Sequence, residues 1–163
     1  MGQSQGLNDT LEQFRGACGE SWIVPRCRRP TCTLPFSSDG AICIDCDSCD
    51  AFSTEERRPD FVLLAIGRDT DSLVWVIVEM KRKGDNASSI VQQLESGARK
   101  VQAHRSFKVA PPPATLLPLI LTERGGVHTA DFAVLRKRGI RYLGKSYPIV
   151  TKRCGTALDS VLP

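Results

Sequence analysis

Three ionisable side chains stand where two apolar segments of the chain begin or end. Asp60 opens one such segment, and Glu79 and Lys81 close the next. Two carboxylates can hold a hard divalent cation, because Mg²⁺ prefers oxygen ligands and usually takes one or two carboxylates in proteins. The backbone carbonyl of Met80 offers a further oxygen. Such a cation polarises a phosphodiester and lowers the pKa of a bound water. The Lys81 ammonium group could orient that water or stabilise the charge that develops on the phosphate.

The two apolar segments are predicted to pair as a β-hairpin. Residues 60–66 (DFVLLAI) and 72–80 (SLVWVIVEM) are rich in β-branched and apolar residues, and the polar turn 67–71 (GRDTD) joins them. The start of one strand of an antiparallel hairpin lies beside the end of the next. Asp60 and Glu79 are therefore expected at the same end of the sheet. Because both faces of the strands are apolar, we expect the sheet to be covered on each side.

Alternation along the second strand decides which side chains share a face. Glu79 and Lys81 are two residues apart and should point to the same face, with Met80 on the other. The sequence therefore predicts a small cation site with an ammonium group beside it. The alternative is a chance pattern, in which an Asp begins a strand and a Glu-x-Lys pair forms a surface salt bridge.

This arrangement resembles the PD-(D/E)xK nuclease superfamily, which includes restriction endonucleases, junction resolvases and repair exonucleases. Pro59 and Asp60 match the PD element of that superfamily. Glu79, Met80 and Lys81 match its (D/E)xK element, with a predicted helix after the strand.

The resemblance covers residues 57 to about 122 and implies both a fold and an activity. The implied fold is of the α/β class, a three-layer, restriction-endonuclease-like αβββαβ core with a mixed central sheet. The implied activity is phosphodiester hydrolysis that depends on Mg²⁺ or Mn²⁺. Asp60 and Glu79 would be the metal ligands, and Lys81 would be the basic catalytic group.

Several members of this superfamily carry a glutamine in the helix after the lysine strand, and two candidates are present here. Residues 87–104 show an apolar stripe with helical spacing. At about 100° per residue, Gln93 flanks this stripe and Gln92 points away from it. We expect Gln93 to face the site; alternatively it only borders the core. Some relatives take a further carboxylate from the first helix, for which Glu12 and Glu20 are the candidates.

The other predicted elements complete a single domain over residues 1–163, with a Cys-rich loop region at about 25–56. Residues 25–40 contain three prolines and are predicted to be loop with little regular structure. The remaining predictions are a helix at 7–18, a strand at 41–45, a strand at 115–122 that Pro118 places near an edge, a helix at 129–139, and short strands at 140–144 and 147–152.

The formal net charge of +4 is unevenly distributed along the chain. Residues 1–60 hold six basic and ten acidic side chains, whereas residues 61–163 hold sixteen and eight. A basic surface suits a phosphate backbone, although a solvated basic face is the alternative. The side chains expected to bind nucleic acid are Lys83, Lys100, Arg136, Lys137, Arg138, Arg141 and Lys145.

Six of the seven cysteines lie between Cys18 and Cys49. An odd number without a signal peptide argues against a disulfide framework, so reduced thiols or a metal site fit better. Asp45 and Asp47, which lie among the cysteines, could also approach the divalent cation. An iron–sulfur cluster is a further alternative by resemblance, although only Cys154 is near the C-terminus. The candidate ligands for a structural Zn²⁺ are Cys27, Cys32, Cys43, Cys46 and Cys49.

Together these features predict a small metal-dependent nuclease, a DNA endonuclease or resolvase-like enzyme. The resemblance points to a prokaryotic or phage defence or mobile-element system. Little of the chain is left for a DNA-reading domain, so specificity would come from a homodimer, a partner protein or DNA structure. No apolar run approaches the roughly 18 residues of a membrane helix, so we expect no membrane partner and a cytoplasmic protein. The alternative is a non-catalytic nucleic-acid-binding or zinc-stapled module on the same fold.

Overall fold

Among the described residues, a mixed sheet of six strands forms the centre of the fold. The computed structural model describes residues 2–69, 71–81, 85–123 and 129–163. Lys83, one of the residues expected to bind nucleic acid, lies outside the described residues. From one edge of the sheet to the other, the strands are β1 (Ile23–Val24), β4 (Ala41–Asp45), β5 (Phe61–Ile66), β6 (Leu73–Lys81), β7 (Thr115–Thr122) and β10 (Val150–Arg153).

Three α-helices and two small hairpins surround this sheet. The helices are α1 (Gly2–Ala17), α2 (Ala87–Ala103) and α3 (Thr129–Lys137). One hairpin pairs β2 (Cys27–Arg29) with β3 (Cys32–Leu34), and the other pairs β8 (Gly139–Tyr142) with β9 (Lys145–Pro148). The sheet and helices confirm the predicted α/β class with a mixed central sheet.

The predicted hairpin is confirmed as the antiparallel pair β5–β6. Its register runs from Phe61 opposite Val78 to Ile66 opposite Leu73. Strand β4 pairs antiparallel with β5 on one side, and β7 pairs parallel with β6 on the other. Because β5 and β6 are inner strands, nearly all their side chains are buried on both faces, as their continuous apolar sequences require.

All three helices contribute to the core on one face of the sheet. Phe14 of α1 packs edge-on against Trp75 of β6, and Trp75 in turn contacts the ring of Phe107. The opposite face is covered by the β2–β3 hairpin and by Leu158 and Leu162 of the C-terminal segment. The expected three-layer arrangement therefore differs from the observed one, because the second covering layer contains no α-helix among the described residues.

Two further expectations are corrected. Residues 25–40 were predicted to be loop but include the β2–β3 hairpin. The strand that contains Pro118 is not an edge strand, since β7 has β6 on one side and β10 on the other. The proline is tolerated because β10 pairs only with residues 119–122, so no strand flanks Pro118 on that side.

Helix α2 is fixed by its cap and by one close approach to the sheet. The Asn86 side chain accepts a hydrogen bond from the Ser89 backbone N–H at 2.8 Å, as expected for an N-cap. Gly97 faces β6 so closely that a Cβ atom there would lie 2.5 Å from Ile77 and 3.0 Å from Pro59. This contact packs the helix against both the sheet and the segment that leads into Asp60.

Four of the seven cysteines form disulfides. Cys27 of β2 is bonded to Cys43 of β4, and Cys32 of β3 is bonded to Cys154, which follows β10. The remaining three, Cys18, Cys46 and Cys49, are free and buried. The expectation of reduced thiols is therefore wrong for the two bonded pairs. Sequence spacing could not reveal this pairing, because Cys32 and Cys154 are 122 residues apart.

Candidate metal centre

The end of the β5–β6 hairpin brings Asp60, Glu79 and Lys81 together. Asp60 directly precedes the Phe61–Val78 pair, and Glu79 directly follows it on the neighbouring strand. The Asp60 backbone N–H bonds to the Val78 carbonyl at 3.0 Å, which continues the pairing to the end of the strand. Asp60 and Glu79 therefore lie at the same end of the sheet, on neighbouring strands.

Glu79 is a buried carboxyl group that lacks a full set of partners. It is 5% exposed, and among the described residues its Oε2 has no hydrogen-bond partner. Burial, together with the nearby Asp60 charge, raises the pKa of Glu79 to about 9. The Asp60 backbone N–H, Lys81 and Arg29 oppose this shift. A carboxyl group in this position needs either a proton or a cation.

Lys81 lies beside Glu79 and is enclosed by acidic groups. Its side chain is fully buried, and its Nζ lies 3.2 Å from Asp85 Oδ2. Burial lowers the pKa of Lys81, whereas the charges of Glu79 and Asp131 raise it. Asp131, in the first turn of α3, is a neighbour of the site that sequence reasoning did not identify, because α3 is separated from β6 by β7 in the chain.

Asp60 has hydrogen bonds to both of its carboxylate oxygens. Its Oδ2 accepts from the Met80 backbone N–H at 2.7 Å. Its Oδ1 accepts from Arg29 Nε at 2.9 Å, in an ion pair that is about four-fifths buried. Arg29 was also missed from the sequence, because its hairpin was predicted to be loop.

Arg29 links the three aspartates at this end of the sheet. In addition to Asp60, its Nη2 lies 3.2 Å from Asp45 Oδ1 and 3.3 Å from Asp47 Oδ2. Burial by itself would lower the pKa of Arg29, but the hydrogen bonds and charges of Asp45 and Asp60 raise it well above its usual range. Asp45 and Asp47 therefore approach Asp60, as the sequence suggested, but with a guanidinium group between them.

The donor set nevertheless suits a hard divalent cation. Two carboxylates and one backbone carbonyl are the kind of protein share that Mg²⁺ takes, with water at the other positions. The Met80 carbonyl lies on the side of β6 that faces Asp60, since the N–H and C=O of one strand residue point to the same neighbour. In the described residues, no group of three or more His, Cys, Asp and Glu side chains is arranged so that it could hold a metal ion by itself. The buried, unpaired Glu79 Oε2 is the observation that fits a cation here.

Gln93 lies beside the segment that precedes Asp60. It is partly buried, and its Nε2 donates to the Arg58 carbonyl at 3.3 Å, whereas Gln92 is exposed. Gln92 is thus on the solvent side of the helix and Gln93 on the inner side, while the role of Gln93 in the site stays a prediction. The other candidate carboxylates are less well placed. Glu12 pairs with Arg15, whose guanidinium also bonds to the Ser38 carbonyl ahead of β4, at the other end of the sheet, and Glu20 is exposed.

The basic side chains are divided between the two ends of the sheet. Arg141 and Lys145 belong to the β8–β9 hairpin, whose turn bonds to Gln102 and whose Tyr142 hydroxyl donates to the Pro113 carbonyl. These contacts lie near the start of β7, away from Lys81. Arg141 and Lys145, which are expected to bind nucleic acid, therefore lie away from the candidate cation site.

The other basic residues have mixed positions. Arg136 and Lys137 are exposed at the end of α3, roughly one or two helical turns from Asp131. Arg138 lies 3.7 Å from Glu95, and Lys100 lies 3.2 Å from Glu55.

Lys152 and Arg153 lie at the same end of the sheet as Lys81. Arg153 of β10 is opposite Thr122 of β7, which is itself opposite Lys81 of β6. Two strand spacings separate the Arg153 and Lys81 backbones by about 10 Å. Both basic side chains are exposed. By strand alternation Arg153 shares the face of Lys81 and Lys152 points to the other face, so Arg153 is better placed than the β8–β9 residues to contact a phosphate backbone at the site.

The structure does not bring the five candidate zinc ligands together as thiolates. Cys27, Cys32 and Cys43 are in disulfides, which leaves only Cys46 and Cys49 of that set as free thiols. Burial is the main cause that raises the pKa of Cys46 and of Cys49, so both favour the protonated form.

No family model, curated protein or solved structure matches the chain. In the described residues, no helix is long and apolar enough to cross a membrane.

Proposed function

We propose that the protein is a metal-dependent nuclease that hydrolyses phosphodiester bonds, most specifically a DNA endonuclease or resolvase-like enzyme. The observation that carries the proposal is the convergence of Asp60, Glu79 and Lys81 at one end of a buried hairpin, with Glu79 Oε2 unpaired. When the short strands β1, β2 and β3 are left out, the order α1, β4, β5, β6, α2, β7 has the αβββαβ pattern of the restriction-endonuclease-like fold, which supports the same assignment.

Each residue has a definite role in this proposal. Asp60, Glu79 and the Met80 carbonyl hold Mg²⁺ or Mn²⁺, which when bound supplies Lewis-acid activation of the phosphate and of a water. Lys81, whose pKa is lowered by burial, orients the attacking water or stabilises charge on the phosphate. Gln93 holds the Arg58 carbonyl and so positions the backbone that leads into Asp60.

The proposed substrate is nucleic acid, DNA in the first instance. Exposed Lys152 and Arg153 lie at the catalytic end of the sheet, and Arg153, on the face of Lys81, can pair with its phosphates. Specificity would come from a homodimer, a partner protein or DNA structure. The cytoplasm remains our prediction for the compartment, although the two disulfides are more typical of oxidising compartments.

One observation favours the alternative, a non-catalytic nucleic-acid-binding module. Asp60 is already neutralised by Arg29, so an intact charge cluster exists without a metal ion. A zinc staple is not needed in this alternative, because the two disulfides already cross-link the Cys-rich region.

The decisive experiment is a cleavage panel on plasmid and branched DNA with Mg²⁺, Mn²⁺ or EDTA. We expect metal-dependent cleavage by the wild type and a loss of at least about 100-fold in Lys81→Ala and in Asp60→Asn, since each removes a group needed at the reacting phosphate. Lys81→Met is a second variant, in which an unbranched apolar side chain fills the buried position so that the fold is preserved while the ammonium group is removed.

Lys108→Ala is the matched control, because Lys108 is an exposed lysine in the segment that leads into β7 at the other end of the sheet. Salt-sensitive binding of both DNAs without cleavage under any metal condition would instead establish the non-catalytic module.

A further inference from the structure

The Arg29 guanidinium lies where the Asp60 carboxylate would meet a cation. Arg29 Nε is 2.9 Å from Asp60 Oδ1, and its Nη2 also donates to the Asp60 backbone carbonyl at 3.2 Å. The second oxygen of Asp60 accepts from the Met80 N–H. A divalent ion that takes Asp60 as a ligand must therefore compete with the guanidinium for the same carboxylate.

Arg29 is held in this position by the structure around it. Its guanidinium stacks over the Phe61 ring at 4.2 Å from the ring centroid. Both strands of its hairpin are cross-linked, β2 to β4 through Cys27–Cys43 and β3 to the segment after β10 through Cys32–Cys154. An arginine anchored in this way is a built part of the site and not a loose surface side chain.

Neighbouring groups could keep Arg29 paired if it left Asp60. Asp45 and Asp47 both lie within ion-pair distance of its Nη2. Glu79, by contrast, has a buried oxygen without a hydrogen-bond partner, and a bound cation would stabilise its charged form. If a cation shared by Asp60 and Glu79 replaced the Arg29–Asp60 ion pair, both of these carboxylates would contact the cation. Asp45 and Asp47 would remain paired with Arg29.

We propose that Arg29 is a built-in counter-cation that competes with the divalent metal ion for Asp60, so that metal binding displaces Arg29 onto Asp45 and Asp47. This inference rests on the proposed metal centre but concerns how readily that centre fills. Removing the guanidinium strengthens metal binding, and the arginine sets the metal concentration at which the site becomes occupied.

The test is a Mn²⁺ titration without nucleic acid, followed by electron paramagnetic resonance of the free ion. We expect Arg29→Ala to bind Mn²⁺ at least tenfold more tightly than the wild type, and the double variant Arg29→Ala/Asp60→Asn to lose that gain. Arg28→Ala is the matched control, because Arg28 is the exposed neighbour on the same strand and should leave the affinity unchanged. Equal affinity of Arg29→Ala and the wild type, or a gain that survives Asp60→Asn, overturns the inference.

Because Arg29→Ala could weaken the hairpin, two further measurements test the inference without relying on that variant alone. Arg29→Lys keeps a positive charge but has no guanidinium fork, and we expect an affinity between those of the wild type and the alanine variant. In the wild type, the Nε–H resonance of Arg29 should shift as Mg²⁺ is added. A resonance that stays fixed while Mg²⁺ binds contradicts displacement.

Cleavage assays on the same variants separate this inference from the proposed function. If Arg29→Ala gains Mn²⁺ affinity but cleaves no DNA, the competition stands and the nuclease assignment fails. If the wild type cleaves DNA and Arg29→Ala needs the same Mg²⁺ concentration for half-maximal activity, the nuclease stands and the competition fails.

Discussion

At the scale of single residues, the candidate site combines an underpaired glutamate with an aspartate that has hydrogen bonds to both of its oxygens. Glu79 has one buried oxygen without a partner, whereas Asp60 uses both of its oxygens. Among the described residues, Glu79 is the buried carboxyl group whose protonation should respond most to pH. Alternation along β6 predicted its position, but its raised pKa depends mainly on its burial, which the sequence did not reveal.

Replacing Glu79 by glutamine should stabilise the protein increasingly as the pH rises. Its pKa is about 9 in the folded protein against an ordinary 4.5. Between these values the folded state keeps a proton that the unfolded state has released, so the wild type loses stability as pH rises through this window. We expect the advantage of Glu79→Gln to grow by on the order of 1 kcal/mol per pH unit between pH 5 and pH 8. Urea denaturation at several pH values measures it.

Glu123→Gln, at an exposed position, serves as the control for removing one carboxylate charge from the protein. A constant difference between Glu79→Gln and the wild type across this range would show that Glu79 is ionised in the folded protein throughout.

At the scale of elements, local sequence patterns predicted the helices and strands that depend on residues close together in the sequence. The apolar, β-branched segments around a five-residue polar turn required the β5–β6 hairpin, and helical spacing required α2. The β2–β3 hairpin was missed because its strands have three residues each and depend on distant disulfide partners. The sequence also could not predict which face of the sheet the helices cover, since both faces are apolar.

The packing of α2 against the sheet should be sensitive to one methyl group. Gly97→Ala would place a Cβ 2.5 Å from Ile77 and 3.0 Å from Pro59, so the helix must shift away from the segment that carries Asp60. We expect a loss of about 1–3 kcal/mol in the free energy of unfolding. If the proposed function is correct, cleavage activity should fall as well.

Gly16→Ala provides the contrasting variant, because Gly16 lies in α1 and its added Cβ meets no atom within 4 Å. There we expect a gain of about 0.5 kcal/mol from helix propensity. Unfolding curves of the two variants test the pair, and a stabilising Gly97→Ala would contradict the close contact.

At the scale of the whole molecule, the disulfides connect regions that the sequence separates. Cys32–Cys154 spans 122 residues and ties the first hairpin to the end of the last strand. Cys27–Cys43 spans only 16 residues. An odd cysteine count suggested reduced thiols, but three buried free cysteines account for the odd number.

Thiol counting tests this pairing directly. In denaturant without reductant, three thiols should react with a chromogenic disulfide reagent, and seven should react after reduction. Loop-closure entropy predicts a stability loss of about 5 kcal/mol when Cys32 and Cys154 are both replaced by alanine, against about 3 kcal/mol for Cys27 and Cys43. Seven reactive thiols before reduction would refute both bonds.

The central position of β5 and β6 has a consequence for amide hydrogen exchange. Each of these strands is hydrogen-bonded to a neighbour on both sides, so its amides should exchange only when the whole sheet opens. The β2–β3 hairpin belongs to a separate two-stranded sheet, and its amides should exchange through smaller, more frequent openings. Amides that exchange equally fast in β5, β6 and the β2–β3 hairpin would contradict this order of opening.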